Sequence, residues 1–369
     1  MSRAPALTRA RRATRRIQVG SVAVGGGAEI SVQSMTNTDT HDVNATLAQI
    51  DALAEAGADI VRVSCPDEDA ARAMGALCAS SPVPLIADIH FDHRLALLVI
   101  ENGVQGLRLN PGNIGSRARV AEVARAAAER RVPIRIGVNA GSLERDLLAK
   151  YGEPCAEAMV ESALGHIRLL EELDYREIKV SLKASSVAMT VDAYRRLAEV
   201  VDYPLHLGIT EAGGLIPGTV KSAVGLGLLL AEGIGDTLRI SLSADPLHEV
   251  KVGFELLKAL GLRSRGVTII ACPTCSRQEL PVIELTARLE ERLAHIRENI
   301  TLSIIGCVVN GPGEAKESQI GIVGGDGENL LYRAGKTVGK VADGEVVERL
   351  VEEVERLAEG MRETKPHPA

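Results

Sequence analysis

A parallel (β/α)8 barrel followed by a smaller α/β module is the fold class this sequence predicts, and three observations predict it. Strand-like and helix-like segments alternate eight times before Leu260, over roughly 240 residues, the length such a barrel occupies. The strand candidates are apolar runs of the kind found in a parallel sheet buried on both faces. The first of them leads into Gln33-Ser34-Met35-Thr36, not into the Gly-rich phosphate loop that would favour an open doubly wound sheet.

The chain of 369 residues suggests two domains, or a barrel plus an addition. A basic arm occupies residues 1–16, with six arginines (Arg3, Arg9, Arg11, Arg12, Arg15, Arg16) and no apolar signal core. It reads as partly disordered. Residues 17–25 read as a short hairpin with Gly20-Ser21 at its turn. The barrel spans 17–262, its strands being AEISVQSM, ADIVRVS, VPLIADI, VQGLRLN, VPIRIGVN, EIKVSLK, YPLHLGIT and DTLRISLS. Helical patterns lie between them at Val43–Ala56, Glu68–Ala79, Arg117–Arg130, Cys155–Leu173 and Val191–Val200. GLRSRG, from Gly261 to Gly266, is a linker. The second module, 263–369, should hold a strand at Val267–Ala271, a helix from about Gln278 to Arg297 and a strand at Ile300–Gly306. Two further strands around Ile320–Val323 and Leu330–Arg333 and a last helix from Glu345 to Met361, capped by Asp343, complete it.

Hydrophobic residues make up 46 % of the chain, which fits a soluble protein with a sizeable core, and a net charge of −7 gives no sign of global nucleic-acid binding. Two Phe, five Tyr and no Trp leave few stacking platforms for bases. No apolar run approaches membrane-spanning length. Six cysteines in a chain this long are not a disulfide framework; Cys65, Cys78 and Cys155 read as buried thiols, and the setting as a reducing cytoplasm.

The other three cysteines form a pattern. Cys272 and Cys275 make a CxxC, and Cys307 follows one helix and one strand later. Three thiolates suit zinc or an iron–sulfur cluster, whereas a lone CxxC also suits a redox dithiol. Structural zinc closes with a fourth Cys or His, and the nearest histidine, His295, lies inside the predicted helix. Glu314, on the Gly-flanked loop after Cys307, supplies an oxygen instead, a ligand better suited to an iron that exchanges it for substrate.

Active sites of such barrels sit at the carboxyl ends of the strands. Residues two apart on a strand share a face, so Asp88 with His90, Arg108 with Asn110, Arg135 with Asn139 two steps on, and Arg239 with Ser241 point together. Arg62, Lys183, His206, Thr210 and Glu211 lie near other strand ends. Four arginines and a lysine around one mouth make a cradle for a polyanion, most simply a diphosphate. Some of them pairing outward with helix carboxylates is the structural alternative. Lys183 also raises a Schiff-base lyase, the second reading of function. A non-catalytic anion-binding barrel with a zinc-stapled appendage is the third.

The stretches VQSMTNTDT, RVSCPD, LIADIHFD, LRLNPGNIG, IRIGVNAGSL, VSLKAS, LHLGITEAGG, KSAVGLG, LRISLSADP, ACPTCSR and CVVNGPGEAK resemble the bacterial IspG/GcpE family. Its members are 4-hydroxy-3-methylbut-2-enyl diphosphate synthases of the non-mevalonate isoprenoid pathway. The resemblance runs from Arg15 to about Lys340 and rests on the joint pattern. It implies a TIM-type barrel joined to an iron–sulfur domain resembling a sulfite-reductase module. It implies a 4Fe-4S cluster on Cys272, Cys275, Cys307 and Glu314, and reductive opening and dehydration of 2-C-methyl-D-erythritol 2,4-cyclodiphosphate. Reduced flavodoxin or ferredoxin would donate the electrons to a homodimer whose subunits share the active site. Within that frame Arg108, Arg135, Lys183, Arg239 and Ser241 are expected on the phosphates, with Arg62 and Thr210 as further substrate-binding residues. Asn110, Asn139, His90 and His206 are expected on the carbon skeleton, Asn310 near the iron-bound ligand, and Glu211 as the proton donor.

Overall fold

The computed structural model describes residues 7–110, 114–309 and 311–363. The chain divides into two compact units at Arg263/Ser264. Among the described residues no helix is long and apolar enough to cross a membrane.

The first unit opens with an antiparallel hairpin, β1 (Arg16–Val19) and β2 (Val22–Gly25). Its side chains Ile17, Val19 and Val24 pack on Ile60 and Ile86. Eight strands follow: β3 (Ser31–Met35), β4 (Ile60–Ser64), β5 (Leu85–Asp88), β6 (Gly106–Leu109), β7 (Ile134–Asn139), β8 (Ile178–Lys183), β9 (His206–Leu207) and β10 (Thr237–Leu238). They pair in parallel in the order β8-β7-β6-β5-β4-β3-β10-β9, and a bridge between Val180 and Leu205 joins the two ends into a ring. Around it lie α1 (Val43–Ala56), α2 (Glu68–Ser80), α3 (His93–Glu101), α4 (Arg117–Arg130), α5 (Arg145–Tyr151), α6 (Ala156–Glu171), α7 (Val187–Val200), α8 (Leu215–Ala231) and α9 (Pro246–Ala259).

Local chemistry sets the helix starts. After the strands, Asp42, Asp67 and Asp92 each accept a backbone N–H of the first turn of α1, α2 and α3, and Asp245 does so for α9. These caps fix the loops at the carboxyl pole, where the candidate site residues lie. Helix α7 begins four residues before the predicted Val191, because Ser186 caps it through Met189.

The strands alternate more than their apolar look suggests. Ile178, Val180 and Leu182 of β8 join the core shared with the helices, as do Ile134, Ile136 and Val138 of β7. Lys179, Ser181 and Lys183 occupy the other face, as do Arg135 and Gly137. Both faces are buried, but the inner one is polar. A barrel interior usually packs branched apolar side chains, and this one departs from that pattern.

The basic arm, read as partly disordered, is described from Leu7. From Arg9 onward it is fixed across the amino ends of the strands, with Arg9, Arg12 and Arg15 donating backbone N–H groups to Ala231, Gly233 and Asp202. Arg11 pairs with Asp236 at 2.9 Å, Arg12 donates to the Tyr203 carbonyl at 2.6 Å, and Arg15 reaches Asp202 at 2.8 Å. Guanidinium groups there satisfy carbonyls and carboxylates left free at the turns before β9 and β10.

The second unit holds β11 (Val267–Ala271), α10 (Val282–Arg292), β12 (Ile300–Ile305), α11 (Gly311–Glu317), β13 (Ile320–Val323), β14 (Glu328–Arg333), β15 (Lys336–Ala342) and α12 (Val346–Glu363). The sheet runs β11-β12-β13-β14-β15, parallel for the first three strands and antiparallel beyond. Helix α10 is shorter than the Gln278–Arg297 reading, although Leu293 and Ile296 beyond it are still buried. Strand β15 was not legible: all its residues but Val341 are exposed, so it lacks the half-buried alternation of a strand. Asp343 does not cap α12 directly. It leads a 3-10 turn at Asp343–Glu345 and accepts from the Asn329 amide at 2.8 Å. Buried Glu353 of α12 is held by Arg333 of β14 at 2.7 Å and by Arg349 and Arg356 at 3.1 Å each.

Candidate active site

Strand register brings the inner side chains level with one another. Asp88 stands opposite Arg108, Arg108 opposite Arg135, Arg135 opposite Lys179, and Asn139 opposite Lys183. Asp88 is the central anion, with Arg108 at 3.2 Å, Arg62 at 3.6 Å and His90 at 3.7 Å. Burial alone would raise its carboxyl, but Arg62, His90 and Arg108 outweigh that and hold it far below the usual range. His90 also meets Arg108 at 3.2 Å, and its ring remains half-exposed.

Arg62 and Arg239 both lie against the Met35 sulfur, at 2.8 and 3.5 Å. Arg239 is anchored from behind by buried Glu249 of α9 at 3.3 Å, which also accepts from Ser34 and from the Leu242 backbone. Burial pushes Arg62 down to about 10, with Arg239 and Arg108 adding to the effect and Asp88 opposing it. Arg135 is 2 % exposed and donates to Ser181 at 2.7 Å, while its Nε and one terminal nitrogen have no protein partner among the described residues. Burial, then Arg62 and Arg108, lower it well below an ordinary guanidinium. His206 is fully buried with neither ring nitrogen bonded among the described residues, and burial with Arg135 nearby keeps it neutral. A buried polar group left without a partner costs about 1–3 kcal/mol. An anion accepting from these donors offsets that cost.

Two glycines make room for the cations. A Cβ at Gly137 would come 2.7 Å from Arg108 Nε, and one at Gly208 would come 2.5 Å from Lys183 Nζ. Asn110 is buried beyond β6; Asn139, Thr210 and Ser241 are half-buried at the ends of their strands. Glu211 is exposed, at φ +47, and accepts from the Thr210 hydroxyl at 3.2 Å. A non-glycine residue in that region carries strain of the sort that gathers at functional sites. Asn310 lies outside the described residues.

Sequence reasoning missed Met35, Lys179, Ser181 and Glu249. The alternation of IKVSLK places Lys179 and Ser181 on the Lys183 face, a signal that was available. Nothing local marks Glu249 as a strut for Arg239.

In the second unit the thiols gather at one pole of the sheet. Ala271 pairs with Ile304 in parallel, so Cys272 and Cys307 leave β11 and β12 at the same end. The Cys272 sulfur accepts from the Gly306 N–H at 3.2 Å, and the Gly311 N–H donates to the Cys307 carbonyl at 3.2 Å. Cys272 and Cys307 are half-buried, Cys275 and Glu314 exposed, and all six cysteines are free. Burial pushes the Cys65 and Cys78 thiols up to about 12, which sets them apart as inert. Among the described residues no three His, Cys, Asp or Glu side chains stand close enough together to enclose an ion. The donor chemistry, soft thiols with a backbone N–H aimed at one sulfur, is of the kind that suits a thiolate-held cluster. His295, the histidine nearest in sequence, faces Glu355 at 3.5 Å instead.

Family models for the GcpE TIM-barrel domain and the GcpE protein C-terminal domain match residues 14–254 and 268–356. A protein of Magnetococcus marinus named 4-hydroxy-3-methylbut-2-en-1-yl diphosphate synthase (flavodoxin) is 71 % identical, over 99 % of this chain and 98 % of its own. One of the same name from Geobacter sulfurreducens is 62 % identical over 93 % and 98 %. Two domain models in sequence and identity of this level along nearly the whole length leave one conclusion: the chain belongs to the GcpE family.

Proposed function

We propose that this chain catalyses the reductive ring opening and dehydration of 2-C-methyl-D-erythritol 2,4-cyclodiphosphate to 4-hydroxy-3-methylbut-2-enyl diphosphate. Two electrons come from reduced flavodoxin or ferredoxin, one proton is consumed and one water leaves. The observation that carries this reading is the inner face of the barrel, where Arg62, Arg108, Arg135 and Arg239 outnumber Asp88 and Glu249. The names of the GcpE relatives support it, and the Schiff-base lyase at Lys183 finds no support among them.

Arg108, Arg135, Lys183, Arg239 and Ser241 bind the diphosphate, with the Nε of Arg108 and two nitrogens of Arg135 left without a protein partner among the described residues. Arg62, Asn110, Asn139, His90, His206 and Thr210 orient the carbon skeleton, with His206 neutral so that it both donates and accepts. Glu211 delivers the proton to the departing hydroxyl. Cys272, Cys275, Cys307 and Glu314 would hold a 4Fe-4S cluster, which when bound supplies single electrons and Lewis acidity. Asn310, three residues after Cys307 in the sequence, is assigned to the substrate near the cluster.

The functional unit in this reading is a cytoplasmic homodimer with active sites shared between subunits. Ile216, Val220, Val224 and Leu228 recur every fourth residue along α8 and are exposed, an apolar stripe suited to a second copy.

Protein purified without air tests the cofactor: about four irons and four sulfides per chain support it, whereas zinc without sulfide after reconstitution contradicts it. A second test addresses the cradle. Gly208→Ala places a methyl against Lys183 and 2.9 Å from the Arg239 carbonyl, so kcat/KM should fall about 100-fold by misplacing the lysine. Circular dichroism should remain that of the wild type.

A further inference from the structure

The barrel interior holds fixed charge and adjustable charge on different strands. Four arginines, less the two carboxylates Asp88 and Glu249 paired to them, leave an excess of two. That equals the charge of a cyclic diphosphate, each of whose phosphates has one ester and one anhydride bond in the ring and so one ionised oxygen. Opening the ring frees a phosphate terminus, and the ligand's charge rises toward about three near neutral pH. Even where burial lowers it, a guanidinium keeps its charge near neutral pH, so the arginines cannot follow this change.

Strand β8 carries groups that do. Lys179 and Lys183 share its inner face and are 2 % and 6 % exposed. The Lys179 Nζ has no protein partner among the described residues. Arg135 faces it from β7, and Asp236 before β10 is the acid that acts on it. That acid is held by Arg11 at 2.9 Å. Around Lys183 stand Arg135 and Asn139 of β7, Arg239 just after β10 and Arg62 of β4, with His206 on β9. Glu249 of α9 is the acid that acts on it and is already paired with Arg239. Each ammonium would be desolvated, surrounded mainly by positive charge and without a free counter-ion. Burial first and then Arg135 push Lys179 down to about 7 and Lys183 well below an ordinary lysine.

We propose that the two lysines of β8 are neutral in the empty barrel and that the cyclic diphosphate is bound together with a proton taken up by this pair. The proton comes from solvent and ends on a lysine amine; no bond in the ligand is broken. The bound state then holds a cation in reserve for the charge that ring opening adds. Neutral amines also spare the empty barrel two further repulsive charges. Because the bound form carries more protons than the free form, affinity weakens as pH rises, approaching about tenfold per pH unit for one proton.

The inference rests on the diphosphate reading of the mouth, and the test separates the two. The cyclodiphosphate is titrated calorimetrically into the holoenzyme at pH 7.5 without an electron donor, in two buffers of different ionisation enthalpy. Both phosphates stay singly ionised there, so any proton uptake belongs to the protein. The wild type should take up close to one proton, and Lys179→Met/Lys183→Met should take up close to none. Binding without uptake, or uptake undiminished in the double variant, overturns the proposal. In the ligand-free wild type, the Cε signals of the two lysines, assigned from the single variants, should titrate below pH 8. Titration near the ordinary lysine value overturns the proposal even where the variants bind too weakly to measure. Failure of the wild type to bind the cyclodiphosphate at all defeats the diphosphate reading instead.

Discussion

Cys307→Ser, purified without air, is expected to lose the 4Fe-4S signature and at least about 1,000-fold in turnover with a reduced flavodoxin. The serine oxygen is a hard donor with a far higher pKa than a thiol, so it does not replace a thiolate on iron. Cys307 leaves β12 beside Cys272, whose sulfur already takes the Gly306 N–H. The loop is packed so closely that a Cβ at Gly311 would come 2.1 Å from Val323 and one at Gly324 would come 2.4 Å from the Gly306 carbonyl. Such a loop offers no alternative position for a ligand. Glu314→Ala should behave differently: iron and sulfide stay, while the EPR of the reduced protein changes, because only an exchangeable oxygen is lost. Equal cluster loss in both variants would show that Glu314 is a structural ligand and not an exchangeable one.

Arg135→Met should lower kcat/KM about 1,000-fold while leaving the melting temperature unchanged or a few degrees higher. The two effects have opposite signs because they have one cause. Arg135 is buried opposite Arg108, repelled by it and by Arg62, with two nitrogens unbonded. Replacing such a charge by an apolar side chain of similar length relieves desolvation and repulsion. Ser181 loses a donor but still donates to the Ile136 carbonyl at 3.2 Å. Bound substrate loses a cation in a site of low dielectric, where charge-assisted hydrogen bonds are strong. A variant destabilised by several degrees would mean that Arg135 holds the fold together and does not await an anion.

Much of this arrangement was legible before any coordinates. Hydrophobic periodicity located α1 and α4 to the residue. Three kinds of feature were not legible, each for a physical reason. Glu249 reaches Arg239 from a helix, a contact made by tertiary packing with no local pattern to announce it. Strand β15 is an exposed edge whose residues obey no burial alternation. The arginine-rich arm has the composition of a disordered tail, yet its charges find specific partners in Asp202 and Asp236 on the far side of the sequence. Burial was the other surprise. Strands that read as continuously apolar keep one face for Arg, Lys, His and Asp, and β8 is buried at every position while carrying two lysines.

The most direct test of the account is anaerobic turnover. The purified holoenzyme is incubated with 2-C-methyl-D-erythritol 2,4-cyclodiphosphate and reduced flavodoxin, and the products are followed by phosphorus NMR. Loss of the cyclic diphosphate signals, with the two resonances of a linear diphosphate ester appearing one for one, and no reaction when flavodoxin is left oxidised, is the predicted result. A cluster-loaded protein that binds the cyclodiphosphate but leaves it unchanged under reducing conditions would contradict the reductive ring opening proposed for this barrel.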